Sequence, residues 1–184
     1  MSQTKKLMFI SDIHGSEYYF KKALEIYKKE IPYKLIVLGD ILYHGPRNPL
    51  PEGYNPKEVI ELINPLKNDI ISVRGNCEAE VDQMVLDFPI LGDYHILDFD
   101  DHEFFLTHGH LYNNEPSPLC KKETIFCQGH THIPMIDMKN TIVHFNPGSI
   151  TLPKDGHPNT YGIYENNTIT IKKLDGHEYM VKKL

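Results

Sequence analysis

Apolar runs alternate with amphipathic segments along the first half of the chain. Lys6 to Ser11 holds the run Leu7, Met8, Phe9 and Ile10 and predicts a buried strand, while Glu17 to Lys29 places Phe20, Ala23, Leu24 and Tyr27 on one helical face. Lys34 to Leu38 predicts a second strand, completing a β-α-β unit. Tyr43 to Asn55 is too rich in proline and glycine for regular structure, and Pro56 then opens a helix reaching Leu66, as a first-turn proline should. Asp69 to Val73 predicts a third strand and Glu78 to Leu86 a short helix.

The second half reads as short strands: Tyr94 to Leu97, Glu103 to Thr107, Thr124 to Gln128, Pro134 to Met138, Thr141 to Phe145, Tyr161 to Glu165, Thr168 to Leu174 and His177 to Val181. Lys139-Asn140, Asn166-Asn167 and Asp175-Gly176 have hairpin chemistry. A parallel β-α half followed by an antiparallel half predicts an α/β fold of two sheets packed face to face with helices outside. No repeat, low-complexity tract or linker interrupts the pattern, so residues 1–184 read as one domain.

Composition narrows the class. With 40% hydrophobic and 24% charged residues, disorder and a multi-pass membrane protein are excluded. Lys5 and Lys6 precede the first apolar run, but that run stops at Ser11 and Asp12, too short for a signal peptide, so a cytoplasmic protein without membrane association is expected. Cys77, Cys120 and Cys127 lack paired C-x-x-C spacing, which argues against a disulfide framework or thiolate zinc site and for a reducing compartment. A net charge of -6 argues against stable nucleic-acid binding through a broad basic face, but leaves room for a small anionic substrate met by local positive charge.

Polar residues follow the strands in a recurrent chemical type. Asp12-Ile13-His14-Gly15 follows the first strand, Gly39-Asp40 the second and Arg74-Gly75-Asn76-Cys77-Glu78 the third; Thr107-His108-Gly109-His110 and Gly129-His130-Thr131-His132 come later. In α/β sheets such carboxyl ends converge on one crevice. Carboxylates, an amide oxygen and imidazoles without thiolates suit Mn, Fe or Zn in mixed oxygen and nitrogen coordination. The donors exceed the needs of one ion. Asp12, His14, Asp40 and His132 could fill one site, and Asp40, Asn76, His108 and His130 another, with Asp40 bridging. Two ions about 3.5 to 4 Å apart can clamp a phosphate and share a bridging hydroxide for in-line attack at phosphorus. Any one of these residues alone reads as a cap or turn former; five motifs together do not.

In order and over most of the chain, Asp12-x-His14, Gly39-Asp40, Gly75-Asn76, His108 and Gly129-His130-x-His132 resemble the calcineurin-like metallophosphoesterase signature. Ser11-Asp12-Ile13-His14-Gly15, His44-Gly45-Pro46-Arg47-Asn48, Arg74-Gly75-Asn76-Cys77, Thr107-His108-Gly109-His110-Leu111 and Phe145-Asn146-Pro147-Gly148-Ser149 are similar to small bacterial phosphodiesterases of the YfcE type. The resemblance implies a four-layer α-β-β-α sandwich of two mixed sheets. It also implies two divalent ions in the ligand sets above, manganese preferred with zinc, iron or nickel as alternatives, and a homo-oligomer, dimer or tetramer.

Many superfamily members carry histidine after the Gly-Asn pair, near the leaving group; this chain has Cys77. A thiol near its free pKa of about 8.5 is a weak donor and supplies no cation. A preference for phosphodiesters with reasonable leaving groups over monoesters is therefore expected. Arg47 and Arg74 occupy strand-following loops beside the site, where a planar guanidinium suits phosphate oxygens; the alternative is that each anchors its loop. His44 is a rim candidate, and His110 either supports the ligating imidazoles or fills its loop. His144 reads as structural and His95, His102, His157 and His177 as surface residues. The leading function is a metal-dependent phosphodiesterase using a metal-bound hydroxide. The alternatives are a phosphomonoesterase or nucleotide pyrophosphohydrolase of the same superfamily, or a non-catalytic scaffold like the retromer subunit, against which the intact ligand set argues.

Overall fold

The computed structural model describes residues 6–113 and 120–184; Lys5, part of the signal-peptide reading, lies outside them. The first half forms the expected elements: strand β1 (Leu7–Ile10), helix α1 (Glu17–Glu30), strand β2 (Lys34–Val37), helix α2 (Pro56–Ile63) and strand β3 (Ile70–Ser72). Local chemistry sets the helix starts. Ser16 Oγ accepts from the Tyr19 amide, and Asn55 caps α2 just before Pro56. Helix α3 is shorter than its apolar pattern predicts, Glu80–Gln83, because Glu78 turns inward instead of opening the helix.

The remaining strands are β4 (Tyr94–Phe99), β5 (His102–Thr107), β6 (Ile125–Cys127), β7 (Met135–Lys139), β8 (Ile142–Asn146), β9 (Thr160–Glu165), β10 (Thr168–Lys173) and β11 (Glu178–Lys183). They do not form an antiparallel sheet of their own. The sheets run β11-β10-β9-β1-β2-β3 and β4-β5-β6-β8-β7. The chain returns to the first sheet by laying β9 antiparallel to β1, Leu7 opposite Tyr164. In the second sheet β5, β6 and β8 are mutually parallel, with Phe105 opposite Phe126 and Phe126 opposite His144. Both sheets are thus mixed, and each sends parallel strand ends toward the same edge.

Alternation of side chains along β1 divides the core. Met8 and Ile10 pack with Phe20, Ala23, Ile26, Val59 and Ile63 under the helices, whereas Leu7 and Phe9 pack between the sheets with Phe104, Leu106, Phe145 and Tyr164. Phe9 stacks on Phe104 and meets the Phe145 ring edge-on at 5.1 Å. Among the described residues, the helices cover only the first sheet; on the outer face of the second, Tyr112 and Cys120 pack over Phe105, Phe126 and Ile142. His144 is buried there against Phe126, in keeping with a structural role. Replacing Phe9 with alanine is expected to cost about 3–5 kcal/mol of stability, measured by urea unfolding, because the inter-sheet layer closes around its ring.

Candidate metal centre

Each parallel strand ends just before a polar loop, and the loops are held together by continued pairing. Leu38 N–H donates to Ile10 O (2.9 Å), Asp12 N–H to Gly39 O (3.2 Å) and His14 N–H to Asp40 O (2.8 Å). The second sheet joins through the His130 amide, which donates to Asp12 Oδ2 at 3.1 Å. Asp12, His14, Asp40, His130 and His132 all have left-handed backbones, with φ of 56, 49, 55, 65 and 61°. Aspartate and histidine tolerate this region better than branched residues do. Two glycines make the approach possible: a Cβ on Gly75 would sit 2.2 Å from Asp40 Oδ1, and one on Gly129 only 1.9 Å from Ser11 Oγ.

Backbone carbonyls fix the tautomers of three histidines. Nδ1 of His14 donates to Tyr43 O (2.8 Å), Nδ1 of His108 to Leu38 O (2.6 Å) and Nδ1 of His132 to Leu152 O (2.5 Å). A carbonyl can only accept, so each neutral ring presents an Nε2 lone pair to the centre. There the lone pairs meet other acceptors: His14 Nε2 lies 3.2 Å from His132 Nε2, and His108 Nε2 lies 3.1 Å from Asn76 Oδ1. Asp12 is fully buried, and its Oδ1 has no hydrogen-bond partner. Acceptors crowded around an unpartnered buried carboxylate oxygen require a proton or a cation between them.

The donors fit a metal. Ligand atoms of Asp12, His14 and His132 lie within 4.8 Å of one another, as do those of Asp12, Asp40 and His108. Asp40 faces both groups, with Oδ2 3.7 Å from His14 Nε2 and Oδ1 3.5 Å from His108 Nε2. A further group comprises His14, Asp40 and Cys77. Burial and the adjacent Asp40 carboxylate push the Cys77 thiol well above its ordinary pKa. Burial alone would raise Asp12, but the neighbouring His132, then His108 and His14, hold its carboxyl low. Burial lowers His14 and His130. At His132 burial also acts to lower the pKa, yet Asp12 reverses this and the net shift is upward.

A cavity of about 870 Å³ opens over this centre, and Asn76, Cys77, His130 and His132 line it. Arg47 lines it too. Arg74 does not; its guanidinium faces Asp93 at 3.9 Å. The His44 ring packs between Tyr43 and Tyr54, its Nδ1 unpartnered. His110 sits beside the rings of His108 and His130; His108, like His14 and His132, is oriented by a backbone carbonyl, and His110 Nδ1 has no hydrogen-bond partner.

Sequence reading missed two participants. Lys154 lines the cavity from the loop after Leu152, and nothing in its local sequence marks it. Glu78 is buried with both oxygens engaged: Oε2 accepts from the amides of Asp40 (2.9 Å) and Gly75 (2.5 Å), and Oε1 from that of Ile41 (2.6 Å). It clasps the loops after β2 and β3, which carry Asp40 and Asn76. Burial, then the charge of Asp40, raises its pKa to about 7 despite those amides. Its place directly after Asn76-Cys77 was the available signal, obscured by its fitness as a helix starter.

The calcineurin-like phosphoesterase superfamily domain matches residues 6–168. Phosphodiesterase YfcE of Escherichia coli K12 is 44% identical over 170 residues, covering 92% of each chain. The solved structure of the E. coli YfcE phosphoesterase superposes with a TM-score of 0.94 at 42% identity, covering 97% of this chain and 98% of that one. Vacuolar protein sorting 29 of Cryptosporidium parvum shares the fold at a TM-score of 0.66 and 16% identity, over 98% of both chains.

Replacing Glu78 with alanine strands three amide donors, and is expected to destabilise the metal-free protein by about 3 kcal/mol in urea unfolding.

Proposed function

The chain belongs to the calcineurin-like phosphoesterase superfamily, and from that premise we propose that it is a metal-dependent phosphodiesterase acting on a small phosphodiester through a dinuclear centre. The observation that carries the reading is the crowding of Nε2 lone pairs around the unpartnered Oδ1 of buried Asp12. In this assignment Asp12, His14, Asp40 and His132 hold one ion, and Asp40, Asn76, His108 and His130 the other. The split contacts of the Asp40 oxygens suit a shared ligand. Two divalent ions held there supply Lewis-acid neutralisation of phosphate charge and acidify a water for attack at phosphorus. Manganese suits donors of mixed oxygen and imidazole type, as do zinc, iron and nickel.

The remaining roles fall to the protein itself. Arg47 and Lys154 supply positive charge to the cavity of a chain whose net charge is -6, and thereby attract and orient an anionic substrate. Cys77 supplies no positive charge where the second negative charge of a monoester would need one, which supports a preference for diesters. His110 borders the His108 and His130 rings and limits their movement. Arg74, turned to Asp93, steadies the loop that carries Asn76. Among the described residues, no helix is long and apolar enough to cross a membrane. The unpaired spacing of Cys77, Cys120 and Cys127 along the sequence suits a reducing cytoplasm, and exposed Tyr94, Ile96 and Met138 suit a homo-oligomer. The complete donor set weighs against a non-catalytic scaffold.

Chelator-stripped protein is expected to be inactive toward bis(p-nitrophenyl) phosphate and to recover with manganese, faster on the diester than on p-nitrophenyl phosphate. Asp40→Asn and His130→Ala should each lower turnover more than about 100-fold. Full activity in either, or failure of the reloaded protein on both esters, would end this assignment. Cys77→His should shift the rate ratio toward the monoester, and an unchanged ratio would remove Cys77 from the explanation of specificity.

A further inference from the structure

A second recess, of about 390 Å³, adjoins the metal cavity and shares Tyr43, Cys77 and Ala79 with it. Its other walls are chemically different. Leu42, Tyr54, Ile60, Val81 and Val85 line it, and Asp82 is its one charged residue. No cation faces it, whereas the cavity beyond Cys77 presents Arg47 and Lys154. Val81 is 61% exposed and Val85 40%, so this apolar surface remains open to a ligand.

The shared wall fixes its relation to the chemistry. The Cys77 amide donates to Asp40 Oδ1 at 2.9 Å, so the mouth of the recess lies one hydrogen bond from a proposed metal ligand. A phosphate held over the centre therefore has one direction lined by cations and one lined by hydrocarbon. A sugar or charged substituent in the apolar direction would leave its polar groups unpaired, while an alkyl or aryl group would bury surface that Val81 and Val85 now expose.

We infer that this recess is a substrate subsite for an apolar substituent of the phosphodiester, an alkyl or aryl group esterified to the phosphate beside Cys77. The inference rests on the phosphodiesterase reading and adds the chemical class of one ester arm. Val81 and Val85 are its specificity-determining residues; neither touches the proposed metal ligands.

The test is calorimetric titration of manganese-loaded protein with dimethyl, ethyl methyl, propyl methyl and butyl methyl phosphate. Affinity is expected to rise by about fourfold for each added methylene. Val81→Asn and Val85→Asn, at exposed positions that the fold tolerates, should flatten the series and leave dimethyl phosphate unchanged. A flat or undetectable series, or a steep one that survives both substitutions, overturns the subsite. Turnover of the corresponding alkyl p-nitrophenyl phosphates on the same samples separates the two readings. A steep, valine-dependent series without turnover keeps the subsite and ends the phosphodiesterase reading, whereas turnover with a flat series does the reverse.

Discussion

Asp12 carries a charge fully out of water, with one carboxylate oxygen that has no hydrogen-bond partner. Such a charge is tolerated only when a compensating charge is held nearby. His132 meets part of the requirement, its Nε2 3.3 Å from Oδ1, but its Nδ1 is committed to Leu152 O and its Nε2 also faces His14. The rest of the site follows from this constraint. The donors are too close to one another to be stable as bare lone pairs, and too well fixed to move apart.

The fixing comes from the backbone. Leu38 and Tyr43 lie in the loop after β2 and Leu152 in the loop after β8, and their carbonyls orient three imidazoles. Behind them stands a polar layer that sequence motifs only partly announce. Ser149 Oγ donates to Asp12 O, Thr151 Oγ1 to Ile13 O, and the Asn146 amide to Gly129 O. These bonds tie the loop after β8 to the ligand loops of both sheets, so neither can relax without disturbing the other. Glu78 performs the same service for the loops after β2 and β3, and its burial keeps it from opening helix α3.

Charge is distributed against the background of an acidic chain. The net charge is -6, yet the walls of the metal cavity bring in Arg47 and Lys154, and the adjoining recess is almost free of charge. Cys77 stands at the junction. A thiol supplies no cation there, where histidine would supply both a donor and a cation. The proposed selectivity thus has a local electrostatic origin that the net charge conceals.

The strands, the first two helices and the polar loops after the strands were legible in the sequence, because burial leaves apolar runs and left-handed turns select aspartate, histidine and glycine. Leu7 to Ile10 and Asp12-Ile13-His14-Gly15 carry that information within a few residues. Sheet membership was not legible. The last three strands read as part of a separate antiparallel half, and only the pairing of β9 with β1 shows that they complete the first sheet, since hairpin chemistry specifies a turn and not the next neighbour. Asp12, His14, Asp40, His108 and His132, whose ligand atoms the structure gathers, were likewise visible from their motifs. Glu78, Lys154 and the apolar recess were not: each acquires its meaning from contacts across long stretches of chain. A carboxylate becomes a clasp only when three amides surround it, and a lysine becomes a cavity residue only when its loop folds over the centre. Local sequence determines which atoms are available, and tertiary packing decides which of them are desolvated together.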